Sequence, residues 1–182
     1  IYRIPRLAEV KNLLTEKRWK HTVGVAVTAA ENCKRAHVSE AKAITAAALH
    51  DCAKYLNADS PLLKGFTFPE GVPEQVLHQY AGAYVAEREF NVSEEDILNA
   101  VRYHTSGRAD MSPLEKLIFL SDMLEEGRTF EGVNELRALF KKDVDECLLT
   151  ALKRQIDYLN SKGEKIYEKT IEAYEFLKGT KK

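Results

Sequence analysis

Apolar residues recur at three- and four-residue intervals along nearly the whole chain, and no stretch shows the strict alternation of a half-buried strand. The pattern predicts a short helix near Pro5–Leu14, a second over about Lys17–Arg35, and a third that Ser39 caps and that runs to about Ala53. In the third, Ala43, Ile44, Ala46, Ala47, Ala48 and Leu49 are apolar almost all round, which marks a central buried helix. Leu56–Pro73 breaks the rhythm with three of the five prolines and two glycines. It reads as a surface excursion long enough to serve as a lid or substrate loop. Pro73 then opens a helix to about Phe90. Ser93-Glu94-Glu95-Asp96 resembles a capping box for a helix that ends near His104, with Gly107 closing the region. Ser112-Pro113-Leu114-Glu115 is a stronger start, opening a helix to about Glu125. Further helices follow near Gly132–Phe140, Asp143–Ser161 and Tyr167–Leu177, and residues 179–182 form a basic tail expected to fray. The expected architecture is a single all-α domain over residues 1–182, a helical bundle without an internal linker.

Several polar residues break the apolar faces of these helices. His21 precedes Val25 by four residues and Ala29 by eight; His50-Asp51 ends the Ala-rich helix. His78 lines up with Ala81, Gly82 and Val85, and His104 follows Val101 by three residues and Ile97 by seven. Asp122 follows Ile118 by four residues and Leu114 by eight. Helical spacing points each of them inward. Burying that many ionisable groups without partners costs several kcal/mol each, so they must be paired or bound to metal. Four imidazoles and two carboxylates form a mixed N/O set suited to a transition metal. Each residue taken singly has an ordinary alternative: His21 or His78 as a satisfied core histidine, Asp122 as the partner of an arginine. His37, between Lys34-Arg35-Ala36 and Ser39, reads as an exposed loop residue and stays outside the set.

Composition narrows the field without adding a partner. The 182 residues are 45% hydrophobic and 30% charged, the profile of a globular protein rather than a disordered or collagen-like one. Lys plus Arg at 27 against Asp plus Glu at 28 gives a net charge of −1. Neither duplex nucleic acid nor an anionic membrane is expected as a general partner. No apolar run reaches the ~20 residues of a membrane helix, and Ile1-Tyr2-Arg3-Ile4-Pro5 lacks a signal-peptide core. Cys33, Cys52 and Cys147 are odd in number and form no CxxC pair, so neither a disulfide framework nor a thiolate zinc site is supported. The plain expectation is a reducing cytoplasm. The stripe Leu148-Leu149-Leu152-Ile156-Leu159 fits either a core or the interface of a homodimer.

The ordered set His21, His50-Asp51, His78, His104, Asp122 in a helical chain resembles the HD-domain metal-dependent phosphohydrolases. The local contexts Arg18-Trp19-Lys20-His21-Thr22-Val23-Gly24-Val25, Ala48-Leu49-His50-Asp51-Cys52-Ala53-Lys54, Tyr103-His104-Thr105-Ser106-Gly107-Arg108 and Ser121-Asp122-Met123-Leu124-Glu125 are similar to the YqeK family. So are Glu126-Gly127-Arg128 and Leu136-Arg137, and the resemblance spans about Arg18 to Tyr174. It departs at Ser121, where Ala is expected, and at Cys52, where an aromatic is common. The resemblance implies symmetrical hydrolysis of diadenosine tetraphosphate to two ADP at a dinuclear centre, by attack of metal-activated hydroxide on phosphorus. It implies that His21, His50, Asp51 and Asp122 hold one metal and that Asp51 bridges to a second, held also by His78 and His104. Iron is the metal it favours, with manganese or zinc as alternatives.

A polyphosphate or ADP/GDP-like nucleotide needs further cations. Lys54, three residues after Asp51, is a catalytic and substrate-binding candidate; Arg108, in a turn after Gly107, is a bidentate phosphate clamp. Thr105 offers a hydroxyl, and Arg18 and Arg128 are further substrate contacts, each with a surface ion pair as its alternative. Glu125 is read as orienting a ligand or an arginine, and Tyr80, Tyr84 and Tyr103 as base-stacking or core residues. Competing functions are an HD-domain nucleotidase, an alarmone phosphatase, or a non-catalytic nucleotide-binding module on the same fold.

Overall fold

Side-chain caps set several helix starts, and the computed structural model, which describes residues 6–180, shows them closed. Thr15 Oγ1 accepts from the Arg18 N–H at 3.2 Å at the head of α2 (Glu16–Asn32). Ser112 Oγ accepts from the Glu115 N–H at 3.2 Å to open α6 (Pro113–Leu124). Asp143 Oδ1 accepts from the Glu146 N–H at 2.9 Å to open α8 (Val144–Ser161). Each cap satisfies one of the N–H groups that a helix start leaves unpaired. The other helices are α1 (Leu7–Asn12), α3 (Glu40–Leu49), α4 (Glu74–Phe90), α5 (Glu95–Arg102), α7 (Val133–Phe140) and α9 (Glu168–Thr180). No strand occurs among the described residues, so the all-α expectation stands. None of the described helices is long and apolar enough to cross a membrane.

Some boundaries differ from the sequence reading, and two of the differences shape the site. The third helix stops at Leu49 rather than near Ala53, so His50 caps it and Asp51 lies in the following turn. The fifth stops at Arg102, two residues short of His104. The second ends at Asn32 rather than Arg35. Ser39 stands at its cap position without a side-chain cap bond, and α5 begins after Glu94 without the expected Ser93 capping box. Pro73 precedes α4 instead of forming its first residue. At the C-terminus α9 continues through Thr180, so 179–180 are helical; 181–182 lie outside the described residues, as does Pro5.

The 56–73 excursion is fastened rather than loose. It contains a 3-10 turn at Pro61–Leu63, and Leu63 is buried in the core. Tyr84 and Arg88 of α4 both donate to Lys64 O, at 2.7 and 2.9 Å. Phe66 packs edge-on to Phe68 with ring centroids 5.0 Å apart and lies 5.1 Å from Tyr84.

Small side chains at the centre let the helices close up around α3. Ala43, Ala46 and Ala47 are fully buried, as are Val25 and Ala29 of α2 and Leu117, Ile118 and Leu120 of α6. On α4, a Cβ at Gly82 would lie 3.3 Å from Val101 Cγ1 and 3.4 Å from the His50 carbonyl oxygen. Glycine there brings α4 against both α5 and the turn that follows α3. The leucine stripe of α8 resolves toward core: Leu148, Leu152 and Ile156 are buried, and the partly buried Leu149 packs against the core. His37 is exposed, as expected.

Candidate metal centre

Five elements deliver the six inward residues to one place. His21 comes from the second turn of α2, His50 and Asp51 from the turn closing α3, and His78 from the second turn of α4. His104 follows α5, and Asp122 belongs to the last turn of α6. The two early helix endings produce matching devices. His50 Nδ1 donates to Ala47 O at 2.6 Å and His104 Nδ1 to Val101 O at 2.8 Å, in both cases back by three residues. A carbonyl oxygen only accepts, so each Nδ1 carries a proton and each Nε2 faces inward, where its lone pair could serve a cation. His21 is oriented likewise: its Nδ1 donates to Glu125 Oε1 at 3.0 Å.

Asp51 divides these donors. Its Oδ2 faces His50 Nε2 at 3.3 Å and His21 Nε2 at 4.0 Å. Its Oδ1 faces His78 Nε2 at 3.4 Å and His104 Nε2 at 3.6 Å. The Nε2 atoms of His78 and His104 are 3.2 Å apart, and His21 Nε2 lies 3.0 Å from Asp122 Oδ1. One ligand atom each from His21, His50 and Asp122 lies within 4.8 Å of the others, and the same holds for His50, Asp51 and His104. Donors about 2.1 Å from one cation stand ~3–4 Å from each other, so the spacing fits metal binding. A further sign is an orphan: the fully buried His50 Nε2 has no hydrogen-bond partner. A lone pair held in that position is what a cation satisfies.

The electrostatics keep both carboxylates ionised and the His78 imidazole neutral, while the His50 pKa, which burial alone would lower, is raised by Asp51 and Asp122. Burial by itself would raise the Asp51 pKa, but the adjacent His50 and the contacts from His104, His50 and His78 hold it far below the usual carboxylate range. Asp122 is also held low: burial opposes ionisation, and His21, His50, His104 and Arg128 outweigh it. Burial drives His78 down to about 4, with His104 and Lys54 adding to the effect against Asp51, so its imidazole is neutral near pH 7.

Four of the five expected substrate contacts form the rim. Arg18 Nη1 donates to Asp51 Oδ2 at 3.0 Å, and Arg128 Nη2 to Asp122 Oδ1 at 2.7 Å. Lys54 Nζ is 3.2 Å from His78 Nε2, and burial, with Arg18 adding, lowers its pKa against the pull of Asp51. Thr105 Oγ1 is 3.2 Å from the same nitrogen. Arg108 is engaged elsewhere. It grips Glu115 bidentately at 2.9 and 2.7 Å, with its guanidinium 5.0 Å over the Tyr103 ring. The buried Glu115 carboxylate demands a cation, which sequence spacing across a loop did not reveal. Tyr84 serves the 56–73 excursion, while Tyr80 shares a hydrogen bond with Tyr167 at 2.9 Å and meets Tyr103 edge-on.

Sequence reasoning underused the support behind His21. Glu125 Oε2 accepts from the Gly127 N–H at 2.6 Å while Oε1 holds His21. Arg137 then donates to the carbonyls of Leu124, Glu125, Glu126 and Arg128 at 2.7–3.3 Å, fixing the connection that carries both Glu125 and Arg128. Glu125, read from the sequence as orienting a ligand or an arginine, does hold His21, and its Oε1 is also 3.8 Å from Arg128 Nε.

Comparison with known proteins gives the family. The HD domain family matches residues 18–127. The chain is 39% identical over 178 residues to a protein of Bacillus subtilis (strain 168) named bis(5'-nucleosyl)-tetraphosphatase, symmetrical, covering 94% of this chain and 95% of that one. A protein of the same name from Halalkalibacterium halodurans is 36% identical, with 92% of each chain covered. Among solved structures, a predicted HD superfamily hydrolase involved in NAD metabolism from Clostridium acetobutylicum superposes with a TM-score of 0.88 at 32% identity, over 99% of both chains. Motif order, helical architecture and these matches together assign the chain to the HD-domain family and, within it, to the YqeK family.

Proposed function

We propose that the protein hydrolyses diadenosine tetraphosphate and related dinucleoside polyphosphates symmetrically, yielding two ADP. The observation that carries this reading is the split of Asp51, whose two oxygens face two different sets of imidazoles. A carboxylate so placed suits a pair of divalent ions, with His21, His50, Asp51 and Asp122 on one and Asp51, His78 and His104 on the other. Such ions supply Lewis-acid activation of water and neutralise charge on phosphate oxygens. A His-rich set with carboxylates and no thiolate suits iron, manganese or zinc, and iron is the metal that the family resemblance favours. The three free cysteines, all buried, accord with a cytoplasmic setting.

The chain's own groups do the rest. The backbone bonds at Nδ1 of His50 and His104 hold both rings rigid, so the donors need no rearrangement when a cation arrives. Lys54 and Thr105, both against His78, offer a charge and a hydroxyl to a nonbridging oxygen on that side. Arg18 and Arg128 sit over the two carboxylates and can shift to phosphate oxygens, lowering the repulsion that a polyanion meets there. The test is product analysis. Protein loaded with iron or manganese converts diadenosine tetraphosphate to ADP alone, and metal analysis of active protein finds two ions per chain. AMP with ATP, or no turnover with any of these metals, refutes the reading.

A further inference from the structure

A larger hollow opens off the candidate centre. A cavity of about 220 Å³ touches the centre through His104, Asp122 and Arg128. Met123, Phe130 and Gln155 line it and also line a groove of about 810 Å³ between the end of α6, the start of α7 and the last turns of α8. The two spaces therefore adjoin. A groove of that size is ample for one nucleoside.

Gln155, on the shared wall, is incompletely satisfied. Its Nε2 donates to Thr105 O at 3.4 Å, and reversing the amide would set two acceptors face to face. That orientation leaves Gln155 Oε1 buried and without a partner. A buried carbonyl oxygen in this state calls for a donor. The groove also has the wrong charge for phosphate. Its acidic lining is Glu131, Glu135 and Asp157, the last paired with Lys153; among the described residues its one lining cation, Arg154, is held by Glu135 at 2.7 Å and by Gly132 O at 3.0 Å. Phe130 and Tyr158, 41% and 61% exposed, present aromatic rings to the same space. Apolar rings beside the unpartnered Gln155 oxygen suit a neutral group that carries hydroxyl and amino donors.

We infer that this groove seats one nucleoside of the dinucleoside polyphosphate, stacked on Phe130 or Tyr158, with a ribose hydroxyl or base amino group donating to Gln155 Oε1. The phosphates then lie at the candidate centre and Arg128. The inference rests on the function proposed above, and it names a subsite within it.

The test uses the full chain loaded with manganese and two probes, ADP and inorganic pyrophosphate, followed by calorimetry. Gln155→Leu weakens ADP about 3–10-fold, the size of one hydrogen bond, and leaves pyrophosphate affinity unchanged. On the wild type, either the 2'- and 3'-deoxy forms of ADP or inosine diphosphate shows the same loss, which tells ribose from base. Gln155→Leu no longer distinguishes that analogue from ADP. Photolabelling with 8-azido-ADP marks peptides that contain Phe130 or Tyr158. Wild-type ADP affinity in Gln155→Leu, an equal loss of pyrophosphate, or label only outside residues 123–135 and 151–158 overturns the assignment. Failure of the proposed activity looks different: ADP binds and labels the groove, yet diadenosine tetraphosphate is not cleaved to ADP.

Discussion

Gly24 and Glu125 are in such close register that a Cβ on Gly24 would fall 2.6 Å from Glu125 Oε2 and 3.3 Å from its Cδ. The carboxylate has no easy retreat, because Gly127 N–H and His21 Nδ1 hold its two oxygens. Gly24→Ala therefore pushes Glu125 away and frees the His21 ring. Metal affinity should fall ~10–100-fold, the usual effect of losing a group that orients a ligand. Equilibrium dialysis with manganese reads this directly, and circular dichroism checks that the helices persist. Unchanged affinity would remove Glu125 from the account.

Arg137 holds four carbonyls that a lysine, with one compact ammonium, cannot span. In Arg137→Lys the connection after α6 loosens at a cost of about 1–3 kcal/mol, and Arg128 becomes more accessible. Limited trypsin digestion should cut after Arg128 several-fold faster than in the wild type while other early cleavages keep their rates. A digestion pattern identical to the wild type would mean that α7 packing alone holds the connection.

Arg108 and Glu115 form an ion pair with its carboxylate buried and its guanidinium partly exposed. Removing the cation leaves a charge in the core, so Arg108→Ala should lower stability by about 2–4 kcal/mol. Pairing Arg108→Met with Glu115→Leu should recover most of it, since an apolar pair of similar volume leaves nothing unsatisfied. Urea unfolding measures both. A phosphate clamp would behave in the opposite way, with stability intact and substrate affinity lost.

Cys147 has its thiol pKa pushed up to about 12, first by burial and then by Asp143. The folded protein thus binds this proton more tightly than the unfolded chain, whose value is near 9.0. The resulting stabilisation is complete below pH 9 and is lost as pH rises toward 12. Stability of the wild type should fall more steeply between pH 9 and 11 than that of Cys147→Ala, as read from urea midpoints. Parallel slopes would show that the thiol keeps an ordinary pKa.

Helical spacing made the six inward residues legible, because an imidazole or carboxylate on an apolar face stands out against its period. The starts at Ser112 and Asp143 were legible for a local reason, a side chain three residues from the N–H it accepts. The endings of α3 and α5 were not. Nothing in Leu49-His50-Asp51 or Arg102-Tyr103-His104 forbids another turn of helix; each ending carries a histidine ring bonded back to the carbonyl three residues earlier, and α4 packs against the His50 carbonyl. The Glu115 partner of Arg108 was not legible, because a guanidinium beside a glycine turn suits phosphate and carboxylate equally and the carboxylate lies across a loop. Gln155 carried no signal, since a glutamine on a half-exposed helix face is ordinary until its surroundings are known.

The turn that follows α3 places His50 and Asp51 at the junction of four other helices rather than on one of them. No local piece of the chain therefore carries a functional fragment of the centre. Any fluctuation that parts α2, α4, α5 or α6 from that turn would separate the residues that would hold a cation, so occupancy would follow the opening of the bundle. By mass action a bound ion would pull that equilibrium toward the closed form, and the melting temperature would become a function of free metal concentration. An organism's metal supply would then set how long the protein survives heat as well as whether it is loaded.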